Sequence, residues 1–114
     1  MPRAVILGGS RTPFVRAGTA YAELDVLDLA RAATIEALAR CEVAAEDVDE
    51  VVYGNVSRPV AYHNLAREIV LGAGLPKTIE AFSVSRACAT AFQAMTSAAE
   101  SMLAGQHDVA IVGG

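Results

Sequence analysis

A chain of 114 residues has room for one domain, and a domain of that size buries roughly two thirds of its unfolded surface. A net charge of −4, with nine basic residues scattered singly, argues against a nucleic-acid surface, and no apolar run approaches the ~18 residues of a membrane span. Yet 54% of the residues are hydrophobic and the mean hydropathy is +0.38, a surplus that predicts burial against a further part of a longer chain or a partner subunit.

Residues 4–7 (Ala-Val-Ile-Leu) form a short apolar run ended by Gly8-Gly9, as in a buried strand. The same run is too short for a secretory signal, and the two cysteines, Cys41 and Cys88, fit reduced thiols better than a disulfide framework, so a cytoplasmic location is expected. Loop follows from Ser10 to Gly18. The pattern over residues 25–41 predicts a helix with Asp25 as N-cap and Asp28 near the positive end of the dipole. At 100° per residue, Val26, Leu27, Leu29, Ala30, Ala33, Ala37, Leu38 and Cys41 share an arc for packing on a sheet, opposite Asp28, Arg31, Ile35 and Glu42. Cys41 lies in that arc as a small core residue.

Residues 50–56 predict a second strand, broken by Arg58-Pro59, and residues 63–73 a second helix stopped by Gly72, Gly74 and Pro76. A third strand over 79–85, a third helix over 88–104 with Gly105 as its stop, and a fourth strand over 109–112 complete the chain. The order β-α-β-α-β-α-β implies an α/β fold, a mostly parallel sheet with right-handed crossovers and helices on both faces. Gly113-Gly114 directly after a strand is an unusual place to stop, so residues 1–114 are expected to be one partial domain, truncated after the fourth strand.

The third helix carries the chemistry. Across residues 88–104, Glu100 is the only charged residue, and Cys88, Phe92, Met95, Ala99, Met102 and Leu103 form an apolar arc, so a helix buried on several sides is expected. Cys88 is placed in its first turn, after a strand, where unpaired N–H groups and the positive end of the dipole favour a thiolate. Arg86 adds positive potential if it folds toward the sulfur. One turn then provides a nucleophile and part of an oxyanion hole. From the residues alone, the plainer alternative stands beside this one: a core helix with an inert buried cysteine.

Residues 82–95, Phe-Ser-Val-Ser-Arg-Ala-Cys-Ala-Thr-Ala-Phe-Gln-Ala-Met, resemble the nucleophile segment of the thiolase family, and most closely the branch that forms the thiolase subunit of fatty-acid oxidation complexes. Gly9-Ser10-Arg11-Thr12-Pro13-Phe14 resembles that family's opening, Asn64-Leu65-Ala66-Arg67-Glu68 its helix after the second strand, and residues 105–114 the approach to its first double glycine. The resemblance implies the amino-terminal part of a thiolase-type half. It implies an acyltransferase that cleaves 3-ketoacyl-CoA with CoA, or runs the reverse condensation, through an acyl-Cys88 intermediate whose oxygen is held partly by the Cys88 amide. It implies coenzyme A thioesters as substrates with no tightly bound cofactor. The base, a second cysteine and most CoA contacts would lie in a carboxy-terminal half outside this sequence. A homodimer formed through the third strand is implied, with a hydratase/dehydrogenase subunit as a further partner. A ketoacyl-synthase-type condensing enzyme and a non-catalytic thiolase-like binding module are the competing readings.

Other motifs carry less. Gly8-Gly9 lacks the G-x-G-x-x-G spacing of a nucleotide loop, and no C-x-x-C pair or helical histidine spacing points to a metal. His63 is expected to be a solvated or capping residue and His107 turn surface; Asp47, Asp49 and Glu50 read as solvated connector charges.

Overall fold

The computed structural model describes residues 2–114. Helix α1 spans Val26–Cys41, strand β1 Glu50–Gly54, helix α2 Leu65–Gly72, strand β2 Glu80–Val84, helix α3 Thr90–Leu103 and strand β3 Ala110–Gly113. The strands form one parallel sheet in the order β2-β1-β3, with Glu50 level with Glu80 on one side and Ala110 on the other. Because successive strand residues point to opposite faces, Val51 packs with Ala66 and Val70 of α2, while Val52 packs with Ala94 and Ala98 of α3. Central β1 is therefore covered on both faces, as the α/β reading requires.

Local chemistry explains the first helix. Asp25 Oδ1 accepts from the Asp28 amide and Asp28 Oδ2 from the Asp25 amide, both at 3.0 Å, a reciprocal capping box. The Tyr62 hydroxyl donates to Asp25 at 2.6 Å and is the main cause holding that carboxyl below its usual range, with the Asp28 amide next. Every member of the expected apolar arc is buried or half-buried, and Asp28, Arg31, Ile35 and Glu42 are exposed. The partner differs from the expected one. The arc rests chiefly on α2, with Ala30 against Leu65 and Ile69, rather than directly on the sheet.

Helix α1 ends on Glu42 at φ 53°, ψ 38°, a left-handed position that usually falls to glycine. A side chain there crowds its own backbone, and a carboxylate at a helix carboxyl end opposes the dipole. Glu42→Gly is expected to stabilise the fold by about 0.5–1 kcal/mol in denaturant titration.

Two expectations are corrected. Residues 4–7 are not a strand: Val5, Ile6 and Leu7 are 67%, 75% and 69% exposed. An apolar run becomes a strand only where a sheet edge offers it backbone partners, and neither β2 nor β3 pairs with it. The segment instead runs beside α1, where Ser10 Oγ donates to the Ala33 carbonyl at 2.6 Å and Gly8 lies against Cys41. The described order is thus α-β-α-β-α-β.

Helix α3 is also covered on one side only. Its small residues Thr90, Ala94 and Ala98 face the sheet, whereas Phe92 is 75% exposed and Met95 and Leu103 also reach solvent. Small side chains let the helix sit close over Val52, and the large apolar arc points the other way. Part of the apolar surplus lies on that outer arc.

Candidate functional site: the turn between the second strand and the third helix

Strand β2 ends at Val84 and α3 begins at Thr90, leaving five residues to turn the chain. The turn is tight. Ala89 N donates to the Arg86 carbonyl at 3.0 Å and Thr90 N to the Ala87 carbonyl at 3.2 Å. Ala87 takes φ 47°, in the left-handed region where a Cβ is crowded. Such a conformation costs ~1–3 kcal/mol and persists only where its surroundings enforce it.

Thr90 supplies much of that enforcement. It is 4% exposed, and its hydroxyl accepts from the Arg86 amide at 2.9 Å while donating to the Ala87 carbonyl at 2.6 Å. Both ends of the turn are therefore tied to one side chain. The Thr90 methyl in turn lies over Gly54 at the end of β1, where an added Cβ would meet it at 2.1 Å. Replacing Thr90 by valine keeps the shape and strands the Arg86 amide. We expect a loss of about 1–3 kcal/mol in chemical denaturation, with the turn loosened around residue 88.

Cys88 sits on this turn and is exposed. It lies one residue before the N-cap, Ala89, rather than in the first helical turn as expected from the sequence. Alanine provides no side-chain cap, and α3 has no acidic residue in its first turn to neutralise its positive end. Among the described residues, nothing accepts from the amides of Cys88, Ala91 or Phe92. Unclaimed donors at a helix start are what an oxyanion or thiolate requires nearby. The Arg86 guanidinium donates to Gln93 Oε1 at 2.9 Å, so its charge is held along the first two turns of α3.

Beside this turn, a cleft at the carboxyl ends of β1 and β2 is lined by residues that include Asn55, Arg58, Tyr62, His63, Ser83 and Ser85. Carboxyl ends of parallel strands are where open α/β sheets bind ligands. His63 is exposed and precedes the α2 N-cap, in keeping with a solvated residue. That N-cap is Asn64, which also explains its neighbours. Its Oδ1 accepts from the Arg67 amide at 3.2 Å and from Ser83 Oγ at 2.9 Å, and its Nδ2 donates to the Ala81 carbonyl at 3.0 Å. One side chain caps α2 and fastens it to β2.

His107 needs correction. It is not turn surface: its ring is 14% exposed and lies between two carboxylates, 3.2 Å from Glu80 Oε2 and 3.7 Å from Glu50 Oε1. Glu50, expected to be a solvated connector charge, opens β1 and is 3% exposed. This cluster occupies the amino-terminal end of the strands, opposite Cys88. Among the described residues, no group of three His, Cys, Asp or Glu side chains is placed to hold a metal ion. No helix among them is long and apolar enough to cross a membrane.

Sequence reasoning singled out Cys88 as a candidate and missed the residues that hold its turn, Gly54, Ala87 and Thr90. A glycine closing a strand of β-branched residues was the available sign that something approaches closely there.

A family profile described as thiolase, N-terminal domain, matches residues 4–114. A 3-ketoacyl-CoA thiolase of Yersinia pestis (strain Pestoides F) is 47% identical over 112 residues, which cover 98% of this chain and 26% of that protein. The chain thus spans about a quarter of the length of the curated relatives it matches. Among solved structures, an acetyl-CoA acetyltransferase of Bacillus anthracis superposes with a TM-score of 0.92 at 31% identity, over 97% of this chain and 28% of its own. A thiolase of Ascaris suum in complex with coenzyme A superposes at 0.90 with 24% identity, over 94% and 28% respectively, a likeness of fold.

Proposed function

Because the chain belongs to the thiolase family, we propose that it carries the acyl-accepting cysteine of an acyltransferase that cleaves 3-ketoacyl-CoA with CoA, and that this cysteine is Cys88. The single observation supporting the reading is an exposed thiol on a strained strand-to-helix turn, beside helix-start amides that nothing else uses.

The chemistry follows from that arrangement. The Cys88 thiolate adds to the keto carbon, and the carbonyl oxygen takes negative charge as the C–S bond forms. Amides at the start of α3 stabilise that charge. Collapse of the adduct breaks the bond between the keto carbon and the carbon next to the thioester, leaving an acyl-Cys88. The departing acetyl-CoA carbanion takes a proton from an acid. A CoA thiolate then attacks the acyl carbon and restores the free sulfur. Arg86 and the uncapped helix end add positive potential to the same region. A relative matched over 98% of this chain is named a 3-ketoacyl-CoA thiolase, which supports CoA thioesters as the substrates; the setting we propose is fatty-acid oxidation. The unpaired outer edge of β2 supports a homodimer formed there.

Purified full-length protein should convert a 3-ketoacyl-CoA and CoA into acetyl-CoA and a shortened acyl-CoA. Condensation that demands a malonyl-type partner, with no thiolysis by free CoA, would point instead to a ketoacyl-synthase-type enzyme. Residues 1–114 in isolation are expected to show no turnover even where the thiol reacts. General acid–base help is worth ~10²–10⁴ in rate, and the base is expected to lie in the carboxy-terminal half that these residues lack.

A further inference from the structure

The carboxylate–imidazole cluster at the other end of the sheet has no place in the acyl-transfer reading. Glu50, Glu80 and His107 stand at the starts of all three strands, since Glu50 is level with Glu80 and with Ala110, three residues after His107. Asp49 fixes the loop that carries the histidine. Its Oδ2 accepts from the Asp108 and Val109 amides at 2.9 and 3.0 Å, its own amide donates to the Val109 carbonyl at 2.9 Å, and its carbonyl accepts from Glu80 N at 3.2 Å. The ring is held in place by this frame.

Glu50 is the member under tension. Its Oε2 is buried without a hydrogen-bond partner, and its Oε1 is 3.7 Å from the ring, close enough for charge attraction but too far for a hydrogen bond. The charged groups facing His107 are Glu50 from β1, Glu80 from β2 and Asp49 from the preceding connector, all acidic. Arg67 of α2, which reaches this end of β2, donates to the carbonyls of Lys77 and Ile79 instead.

We propose that His107 is a proton-operated clasp on the sheet. Charged, it ties β1 and β2 to the loop that delivers β3; neutral, it leaves the buried Glu50 carboxylate without a counter-charge, and the strand starts open more readily.

The sign of the pH effect follows. A histidine loses its charge between about pH 5 and 8. Burial pushes the Glu50 carboxyl up from its ordinary 4.5, with His107 opposing and Glu80 adding to the rise. A group raised in the native state contributes stability that is full below its unfolded value and is lost as pH rises through the native one. The ionising Glu50 carboxyl therefore loosens this end as pH rises. Asp49 acts oppositely: backbone amides of Asp108 and Val109 hold it below 3.8, so its contribution is lost only in stronger acid.

Amide hydrogen exchange on the full-length protein, read on peptides spanning residues 48–54 and 107–113, tests this. After correction for intrinsic exchange, protection should fall about tenfold between pH 5.5 and 8.5. His107→Gln should begin with the lower protection and stay level across that range. Glu50→Gln, which removes the buried charge and keeps its shape, should also flatten the profile, and it serves if His107→Gln does not fold. A wild-type profile without slope, or a slope that persists in either variant, overturns the clasp.

Discussion

Cys88→Ser is expected to lower thiolytic turnover of the full-length protein by at least ~10³-fold, because the step that stores the acyl group on sulfur is lost. A serine hydroxyl is far less acidic than a thiol and stays protonated at neutral pH. The substitution should leave stability within about 0.5 kcal/mol of wild type, since the side chain is exposed and differs by one atom. A large loss of activity at unchanged melting temperature separates a chemical role from a structural one. Retention of turnover within a few-fold would remove Cys88 from the reaction.

Gly54→Ala should be the most damaging small substitution in the molecule's centre. The new Cβ would lie 2.1 Å from the Thr90 methyl and 2.9 Å from the Val84 carbonyl oxygen, and neither can yield cheaply. The carbonyl belongs to β2, which is paired to β1 along its length, and the methyl belongs to the residue that holds the Cys88 turn closed. Overpacking of this kind costs ~1–3 kcal/mol or more. The start of α3 would have to lift off the sheet, carrying Cys88 with it. Urea denaturation should report the lost stability, and the rate of thiol alkylation at Cys88 should change along with it. Unaltered stability and alkylation would mean that α3 is not seated on Gly54 as described.

What the sequence revealed, and what it hid, divides by range of interaction. The Asp25 cap and the apolar arc of α1 were legible because a helix N-terminus and a 3.6-residue period are written within one turn or face. The central strands were legible as apolar runs flanked by breakers. The start of α3 was misplaced by two residues because Arg86, Ala87, Cys88 and Ala89 include no Ser, Thr, Asp or Asn to mark a cap. The hydroxyl that closes the turn comes from Thr90, inside the helix. Residues 4–7 carry a strand's composition, yet composition does not supply a neighbouring edge. The His107 cluster was invisible for a related reason. Residues 50, 80 and 107 meet only when three parallel strands align in register, and nothing local announces that. Family resemblance, by contrast, identified the chain from residues 82–95 together with three further segments spread along it, and the match over residues 4–114 bears it out.

The proposed reaction requires a covalent acyl–sulfur bond at one turn. Brief incubation of the full-length protein with a short acyl-CoA, rapid acid quench and proteolysis should yield a peptide containing Cys88 that is heavier by one acyl group. That mass should vanish when CoA is added before the quench, as the thiol resolves the thioester. An acyl group mapped to Cys41 or to another residue, with Cys88 recovered unmodified under turnover conditions, would contradict it.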